Sequence, residues 1–128
     1  MAVLIKICDL DIEIYRCVSS YIQTSEVIIT EERIKHIQED LPDDYERYCS
    51  YIPLIILEPD YIVEANKANT AVLLKEFTEN GEKFKLILRL KTPDLPKGYK
   101  NSVISFWRIG QTTWEKTINN KKILYKKE

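Results

Sequence analysis

NTAVLLKEFTENGEKFKLILRLKT, residues 69–92, is the stretch that decides the fold. Two runs rich in aliphatic and β-branched residues flank Asn80-Gly81, the dipeptide that most readily adopts the positive φ angles of a type I′ turn. The stretch therefore predicts a β-hairpin. With a loop of two or four residues, the numbers of paired residues add up to 161, so that Phe77 faces Phe84.

This register sorts the hairpin side chains into two faces, because successive residues of a strand point to opposite sides. Lys75 is the lone cation of an apolar face, and Arg89 belongs to the opposite, mixed face. The two cations can share a site if a strand bulges, if the loop has an odd number of residues, or if long side chains reach around a twisted edge. The apolar face carries Ala71, Leu73, Lys75, Phe77, Phe84, Leu86, Leu88 and Leu90; the mixed face carries Thr70, Val72, Leu74, Glu76, Thr78, Lys83, Lys85, Ile87, Arg89 and Lys91.

The rest of the chain predicts short helices before the hairpin and further strands after it. Thr30 is placed as a helix N-cap, and Pro42 ends that helix near Leu41. The apolar runs at 2–8 and 12–17 favour strands, with a short amphipathic helix as the alternative. This order predicts an α+β fold with one sheet face open to a ligand. The remaining predicted elements are short helices at 43–50, 52–58 and 114–119 and strands at 26–29, 61–64, 102–109 and 122–125.

Within the predicted strand 102–109, simple alternation assigns the side chains to two sides. Val103, Ser105 and Trp107 are expected to point one way. The opposite side is expected to carry Ser102, Ile104, Phe106 and Arg108.

Length and composition restrict the possible classes of protein. A chain of 128 residues fits a single domain, 1–128. Its three cysteines form no CxxC pair and suit a reducing compartment, and the N-terminus lacks the features of a signal peptide. We therefore expect a protein that acts in the cytoplasm. No apolar run reaches the ~20 residues that a membrane-spanning helix needs. With one histidine and no glycine-rich phosphate loop, no metal and no cofactor are expected.

Charge is divided unevenly along the chain. Residues 1–66 contain 5 Lys and Arg against 14 Asp and Glu, a net charge of −9, whereas residues 67–128 contain 14 against 6, a net charge of +8. Such asymmetry is typical of a protein with a side that binds polyanions. Mutual attraction of the two halves across a helix-on-sheet interface explains it equally well.

His36 and Lys75 are the candidate groups for proton transfer and charge stabilisation. Histidine titrates near neutral pH, and Asp40, four residues further along the helix, can orient the ring of His36. A solvated surface histidine is the alternative. Lys75 on an apolar face is expected to line a cleft and stabilise phosphate charge, or else to pack its stem at the sheet edge.

Arg89, Lys91, Ser105 and Trp107 are the candidate groups for binding a nucleic acid. Arginine grips phosphate as a fork and lysine acts as a point charge. The hydroxyl of Ser105 can bind a phosphate oxygen, and the indole of Trp107 can stack on a base. For Trp107, a place in the hydrophobic core is the alternative.

The order of these signals resembles a phage and mobile-element family in the barnase, EndoU, colicin and RelE-like (BECR) group of ribonucleases. The resemblance covers about residues 29–125, preceded by a strand-like N-terminal extension. It implies short N-terminal helices packed on a curved antiparallel β-sheet, and cleavage of RNA without metal. The segments that carry it are TEERIKHIQED (30–40), YIPLIILEPDYI (51–62), NTAVLLKE (69–76), FKLILRLKT (84–92) and YKNSVISFW (99–107).

Carried over by position, the resemblance matches His36 to the helix histidine, Lys75 to the hairpin lysine, Arg89 to a cation on the following strand and Ser105 to the polar position on the next. Relatives often carry a second histidine where this chain has Asp40. An acid–base pair of two histidines is therefore absent. Lys75 or Arg89 then takes the second role, or the domain is weakly active.

Taken together, these features predict a metal-independent endoribonuclease of the toxin type, from a phage or a mobile element, that activates the 2′-hydroxyl of RNA. The expected partners are RNA and a cognate inhibitor or immunity protein. A non-catalytic RNA-binding or protein-interaction domain of the same fold is the alternative. The expected catalytic residues are His36, Lys75, Arg89 and Ser105, and the expected substrate-binding residues are Asp40, Thr70, Lys91 and Trp107.

Overall fold

The structure is a computed structural model that describes residues 3–128. Within this range, seven strands, β1 to β7, span Leu4–Asp9, Glu26–Thr30, Tyr61–Glu64, Thr70–Phe77, Glu82–Arg89, Asn101–Ile109 and Ile123–Lys126. Five helices, α1 to α5, span Ile12–Tyr15, Glu31–Asp40, Pro42–Tyr48, Ile52–Leu57 and Gln111–Asn120. A single 3₁₀ turn, Cys49–Tyr51, joins α3 to α4. No helix in this range is long and apolar enough to cross a lipid bilayer.

All seven strands form one open sheet in the order β1-β2-β6-β5-β4-β3-β7. The β2–β6 pair is parallel, and the other neighbouring pairs are antiparallel. Short helices precede the strands of the central hairpin, as predicted. The expected α+β class is confirmed.

The start of α2 follows from its cap. The hydroxyl of Thr30 accepts a hydrogen bond from the backbone N–H of Arg33 at 3.1 Å, which satisfies a donor that a helix start otherwise leaves free. Pro42 occupies the first turn of α3 and is compatible with that position because it has no N–H to lose. The predicted boundaries of α2 are therefore correct.

The N-terminal region departs from the prediction in its second half. Leu4–Asp9 forms β1 as expected, while Ala2, included in the predicted strand, lies outside the described residues. Ile12–Tyr15, for which the sequence favours a strand with a short amphipathic helix as the alternative, forms the helix α1. The carboxylate of Asp11 accepts a hydrogen bond from the N–H of Glu13 at 3.0 Å, and this cap favours the helical turn over an extended chain.

The main core lies between one face of the sheet and helices α1 to α4. Phe84 stacks on Phe106 with ring centroids 5.4 Å apart, and Tyr51 stacks on Phe77 at 4.1 Å. The hydroxyl of Tyr15, whose side chain is buried, donates a 2.6 Å hydrogen bond to the carbonyl of Ile56. This face therefore has no room for a ligand across most of its area.

The register of the β4–β5 hairpin differs from the predicted one by two residues. Phe77 pairs with Glu82 and Lys75 with Phe84, so that pair numbers add up to 159. Four residues, 78–81, form the turn, and only Gly81 of these has a positive φ (+72°), so the predicted type I′ turn is wrong. A shift of two residues keeps every side chain on its predicted face, and Lys75 and Arg89 lie on opposite faces of an unbroken ladder.

The predicted alternation of β6 is wrong, because the strand contains a β-bulge. Ser105 pairs with Ile87, but Val103 pairs with Leu88, so Ile104 is an extra residue on the β6 side. Val103 is consequently buried in the main core, whereas Ser105 and Trp107 lie on the opposite face. Ile104 points to that opposite face as well, because it lines the cavity described below.

We expect Gly81→Ala to lower the free energy of unfolding by about 1 kcal/mol, because a Cβ in the left-handed region is strained. No atom lies within 4 Å of the position that a Cβ would occupy there, so the loss reports backbone strain and not a clash. Gly81→Asn is the matched variant and should lose less, since Asn tolerates positive φ. Urea denaturation measures both; equal stability of the three proteins would contradict the turn geometry.

Candidate functional site

A cavity of about 360 Å³ opens on the sheet face opposite the main core. We call this the basic face; it carries Val72, Lys85, Ile87 and Arg89 of the hairpin. Helix α5 packs on the neighbouring part of the face, and the first turn of α2 reaches the cavity from the other side. The charged lining of this basic cavity consists of five cations and one carboxylate: Arg33, Lys67, Lys85, Arg89, Lys121 and Glu64.

The floor of the basic cavity is aliphatic. Val63 and Val72 are cross-strand partners on β3 and β4, and Ile87 is the partner of Val72 on β5. Ile104 reaches the same cavity because the bulge turns its side chain to this face. The site therefore combines an apolar floor with a cationic rim.

Lys85 is a cation of the lining whose surroundings disfavour its charge. Partial burial lowers its pKa, and the positive charge of Lys121 lowers it further. Its Nζ lies 5.2 Å from the ring centroid of Trp107, its cross-strand partner on β6. An ammonium group with a lowered pKa in such a place is a better proton donor than an exposed lysine.

The Arg89 end of the basic cavity is held by a turn and a loop. Asn69, with a φ of +57°, donates from Nδ2 to both carboxylate oxygens of Asp94 at 3.3 Å, and its carbonyl accepts from the N–H of Leu90 at 2.9 Å. Hydrogen bonding from Thr92 is the first cause of the lowered pKa of Asp94, and the nearby charge of Arg89 contributes. These contacts fix the chain that follows Arg89 and join it to Asn69, the residue before the cross-strand partner Thr70.

Four of the predicted site residues lie on this face or line this cavity. Thr70 and Arg89 are direct cross-strand partners and both line the cavity. Ser105 and Trp107 lie on the same face, on β6, beside Ile87 and Lys85. Trp107 is partly exposed and is not part of the main core, which removes the core position as an explanation for it.

His36 lies on an exposed flank of α2, one helical turn after Arg33. The helix packs against β6 and β2, and Arg33 lines the cavity, but His36 is not among the residues that line it. The ring Nε2 of His36 lies 3.7 Å from a carboxylate oxygen of Glu32, in the preceding turn. His36 therefore contacts Glu32. Among the residues that the structure describes, the expected contact between His36 and Asp40 is not formed.

Lys75 is separated from these residues by the sheet. Its Nζ donates a 2.7 Å hydrogen bond to the carbonyl of Glu58 and lies 3.7 Å from a carboxylate oxygen of Asp60. The groove beside it, about 660 Å³, is larger than the basic cavity, but its charged lining contains four carboxylates and two lysines. Charge therefore identifies the smaller basic cavity as the better place for a phosphate group. The six charged residues of that groove are Glu58, Asp60, Glu76, Glu79, Lys75 and Lys127.

Lys91 is buried and does not line the basic cavity. Its ammonium group donates to the side-chain oxygen of Gln23 at 2.8 Å and to the carbonyls of Thr92 and Leu95 at 2.9 and 3.0 Å. These three acceptors use its three N–H donors. Lys91 is therefore a buried structural cation that holds the loop after β5, and not a phosphate contact.

Sequence reasoning missed four cations of the basic cavity: Arg33, Lys67, Lys85 and Lys121. Alternation already placed Lys85 on the face of Arg89, and that signal was sufficient to include it. Lys121 belongs to the cationic half of the chain, but its place depends on how α5 packs. Arg33 belongs to the acidic half, and its place depends on the packing of α2 beside β6.

The described residues bring no three His, Cys, Asp or Glu side chains together as a metal-binding group. The side chains at the basic cavity and on its face offer guanidinium and ammonium groups for anionic oxygens, the hydroxyls of Thr70 and Ser105 as hydrogen-bond donors, and the indole of Trp107 as a stacking surface.

The family model of PBECR2, described as "phage-Barnase-EndoU-ColicinE5/D-RelE like nuclease2", matches residues 10–126. This match begins earlier than the predicted resemblance and includes α1 and β2. No curated protein and no solved structure matches the chain significantly. The cationic cavity fits an enzyme family that acts on nucleic acid. The chain thus belongs to the PBECR2 family of nucleases, in the barnase, EndoU, colicin and RelE-like group.

Proposed function

We propose that this protein is a metal-independent endoribonuclease that binds the scissile phosphate at the rim of the basic cavity. The observation that carries the proposal is that five cations and a single carboxylate line one cavity over the sheet. Phosphate contacts from Arg and Lys supply most of the affinity of nucleic-acid-binding proteins. Family membership gives the reaction class, and the choice of RNA and of a metal-free route belongs to this proposal.

In the proposed reaction the 2′-oxygen of a ribose attacks the adjacent phosphorus. The new bond is 2′-O–P, the broken bond is P–O5′, and the products are a 2′,3′-cyclic phosphate and a free 5′-hydroxyl. A base takes the proton of the 2′-hydroxyl, and an acid gives a proton to the leaving 5′-oxygen. Guanidinium and ammonium groups stabilise the negative charge that builds up on the phosphorane, so the cations take the place of a metal ion.

Four side chains of this protein have the chemistry for these roles. Arg89 is the fork for the phosphate oxygens, assisted by the hydroxyl of Ser105 on the neighbouring strand. His36, one helical turn after the cavity residue Arg33 on α2, serves as general base. Lys85 serves as the general acid, because its lowered pKa favours release of its proton. Lys75 has no part in this site, since it lies on the other face.

RNA binding without cleavage is the second candidate function. The exposure of His36 and its contact with Glu32, where an orienting contact with Asp40 was expected, favour it. Under this alternative the basic cavity binds RNA with a strong salt dependence and releases it intact. Substitution of His36 then leaves binding unchanged and there is no activity to lose.

Cleavage of end-labelled single-stranded RNA in EDTA tests the proposal. We expect a 2′,3′-cyclic phosphate end, no cleavage of DNA of the same sequence, and a loss of about 10²–10³-fold in kcat for Arg89→Met, the size typical of removing one group that stabilises charge in the transition state. His36→Ala should abolish cleavage. Intact RNA with the wild-type protein would contradict the nuclease assignment and select the binding function.

Lys75→Met is the matched control, since it removes an equally long cation from the opposite face. We expect its cleavage rate to stay within about threefold of wild type, whereas its free energy of unfolding falls by about 1 kcal/mol, because the partly buried carbonyl of Glu58 loses its donor. Urea denaturation and the cleavage assay separate the two effects. If Lys75→Met lost activity as Arg89→Met does while remaining folded, the site would lie on the other face.

Lys121→Gln tests the role of Lys85. Removing the positive charge of Lys121 should raise the pKa of Lys85, because a like charge disfavours the protonated form. In a plot of cleavage rate against pH, the pKa that reports the general acid should move to higher pH. The pKa of Lys85, measured by NMR, should rise by the same amount. Lys116→Gln, an exposed lysine of α5, is the control and should leave both unchanged. A rate profile that stays fixed while the pKa of Lys85 moves would remove Lys85 from the reaction.

A further inference from the structure

The floor of the basic cavity is unsuited to a phosphate group. Val63, Val72, Ile87 and Ile104 offer no hydrogen bond, and a charged phosphate loses its water there without compensation. The five cations stand around this floor. Phosphates therefore belong on the rim, and the floor is left for an uncharged, flat or apolar part of the ligand.

The size of the basic cavity agrees with this division. A volume of about 360 Å³ lies at the lower end of the range of roughly 300–1,000 Å³ that small-molecule sites occupy. Binding of phosphate by a cationic rim alone needs no cavity of this kind. An aliphatic floor beneath charged side chains is instead the arrangement expected for a group that is apolar on its faces and polar at its edges.

Polar groups that could contact the edge of such a group lie beside the floor. Glu64 accepts a hydrogen bond from the N–H of Lys122 through one carboxylate oxygen at 3.2 Å, and the side-chain oxygen of Asn66 accepts from Lys121 Nζ at 3.4 Å. The second carboxylate oxygen of Glu64 and the amide N–H₂ of Asn66 remain as further hydrogen-bonding capacity. One acceptor and one donor group among the cations and the two threonines of the lining fit the edge of a nucleobase.

We infer that the basic cavity is a nucleobase pocket: an unpaired base of a single-stranded RNA lies on the aliphatic floor while its flanking phosphates contact the cationic rim. This inference rests on the proposed function for the identity of the nucleic acid, and it names the class of substrate. Bases of a duplex are stacked and paired, so they do not enter such a pocket. The apolar floor therefore selects single-stranded RNA over duplex RNA. The phosphate contacts do not discriminate, because both forms of RNA can make them.

Binding of 2′-O-methyl oligonucleotides, in which the attacking hydroxyl is blocked, tests the pocket independently of cleavage. The probes are one eight-nucleotide single strand, the same strand in a duplex, and a series in which one position at a time is abasic. We expect the single strand to bind the wild-type protein at least tenfold more tightly than the duplex, and one abasic position to lose most of that difference. Equal affinity for all three forms would overturn the pocket.

Ala65→Phe provides the matching change in the protein. Ala65 lines the cavity, and a phenyl ring there fills the floor while all five cations remain. We expect this variant to bind single strand and duplex with equal, weak affinity. Ala68→Phe, an exposed alanine three residues further on and outside the cavity lining, is the control and should keep the single-strand preference. Retention of that preference by a folded Ala65→Phe protein would also overturn the pocket.

The two proposals fail in different ways. If the protein prefers single strands but leaves cleavable RNA intact, the result supports the base pocket and refutes the nuclease activity. If it cleaves single-stranded and double-stranded RNA at equal rates and binds abasic strands normally, the nuclease activity stands and the pocket falls.

Discussion

The unbroken ladder between β4 and β5 is the constraint on which the rest of the structure depends. Eight consecutive pairs, from Thr70–Arg89 to Phe77–Glu82, leave no bulge that could exchange the two faces. One face is committed to the main core and the other to the basic cavity. Because a strand alternates strictly, the ladder assigns each charged side chain of the hairpin to one environment or the other. Lys75 must find its partners among main-chain and carboxylate oxygens, while Arg89 and Lys85 remain available to an anion.

The bulge in β6 acts against this regularity and gives the site its shape. A regular strand would have turned Ile104 away from Ser105. With the extra residue, Val103 stays in the core and Ile104 joins the cavity floor, while Ser105 and Trp107 keep their side of the sheet. Bulges are common beside functional sites because they re-aim a side chain at small cost. Here one inserted residue supplies a floor residue and leaves core packing intact.

The parts of the fold that sequence predicts are those with strong local causes. The cap at Thr30, the break at Pro42 and the alternation of residues 70–90 depend on neighbours in the chain, and the structure confirms each of them. The hairpin register differs by two residues because the four-residue turn is 78–81, with Gly81 as its last residue and its one positive φ, and is not centred on Asn80-Gly81. Ile12–Tyr15 has strand-like composition, yet a capping carboxylate makes it a helix.

The candidate site was less predictable than the fold. Its cations come from distant parts of the chain and meet through the packing of α2 and α5 on the sheet, which no local sequence pattern shows. Lys75 stands out in the sequence as a cation on an apolar face, but its partner, the carbonyl of Glu58, depends on the chain reversal between α4 and β3.

The cationic rim has a thermodynamic cost for the empty protein. Five like charges held around one cavity repel one another, and in the unfolded chain they are far apart. A polyanion that binds the folded form removes this repulsion and adds its binding energy to the folding equilibrium. The free energy of folding and the supply of substrate are thus linked. A strand bound at this cavity would therefore raise the free energy of unfolding, and the substrate would stabilise the surface that binds it.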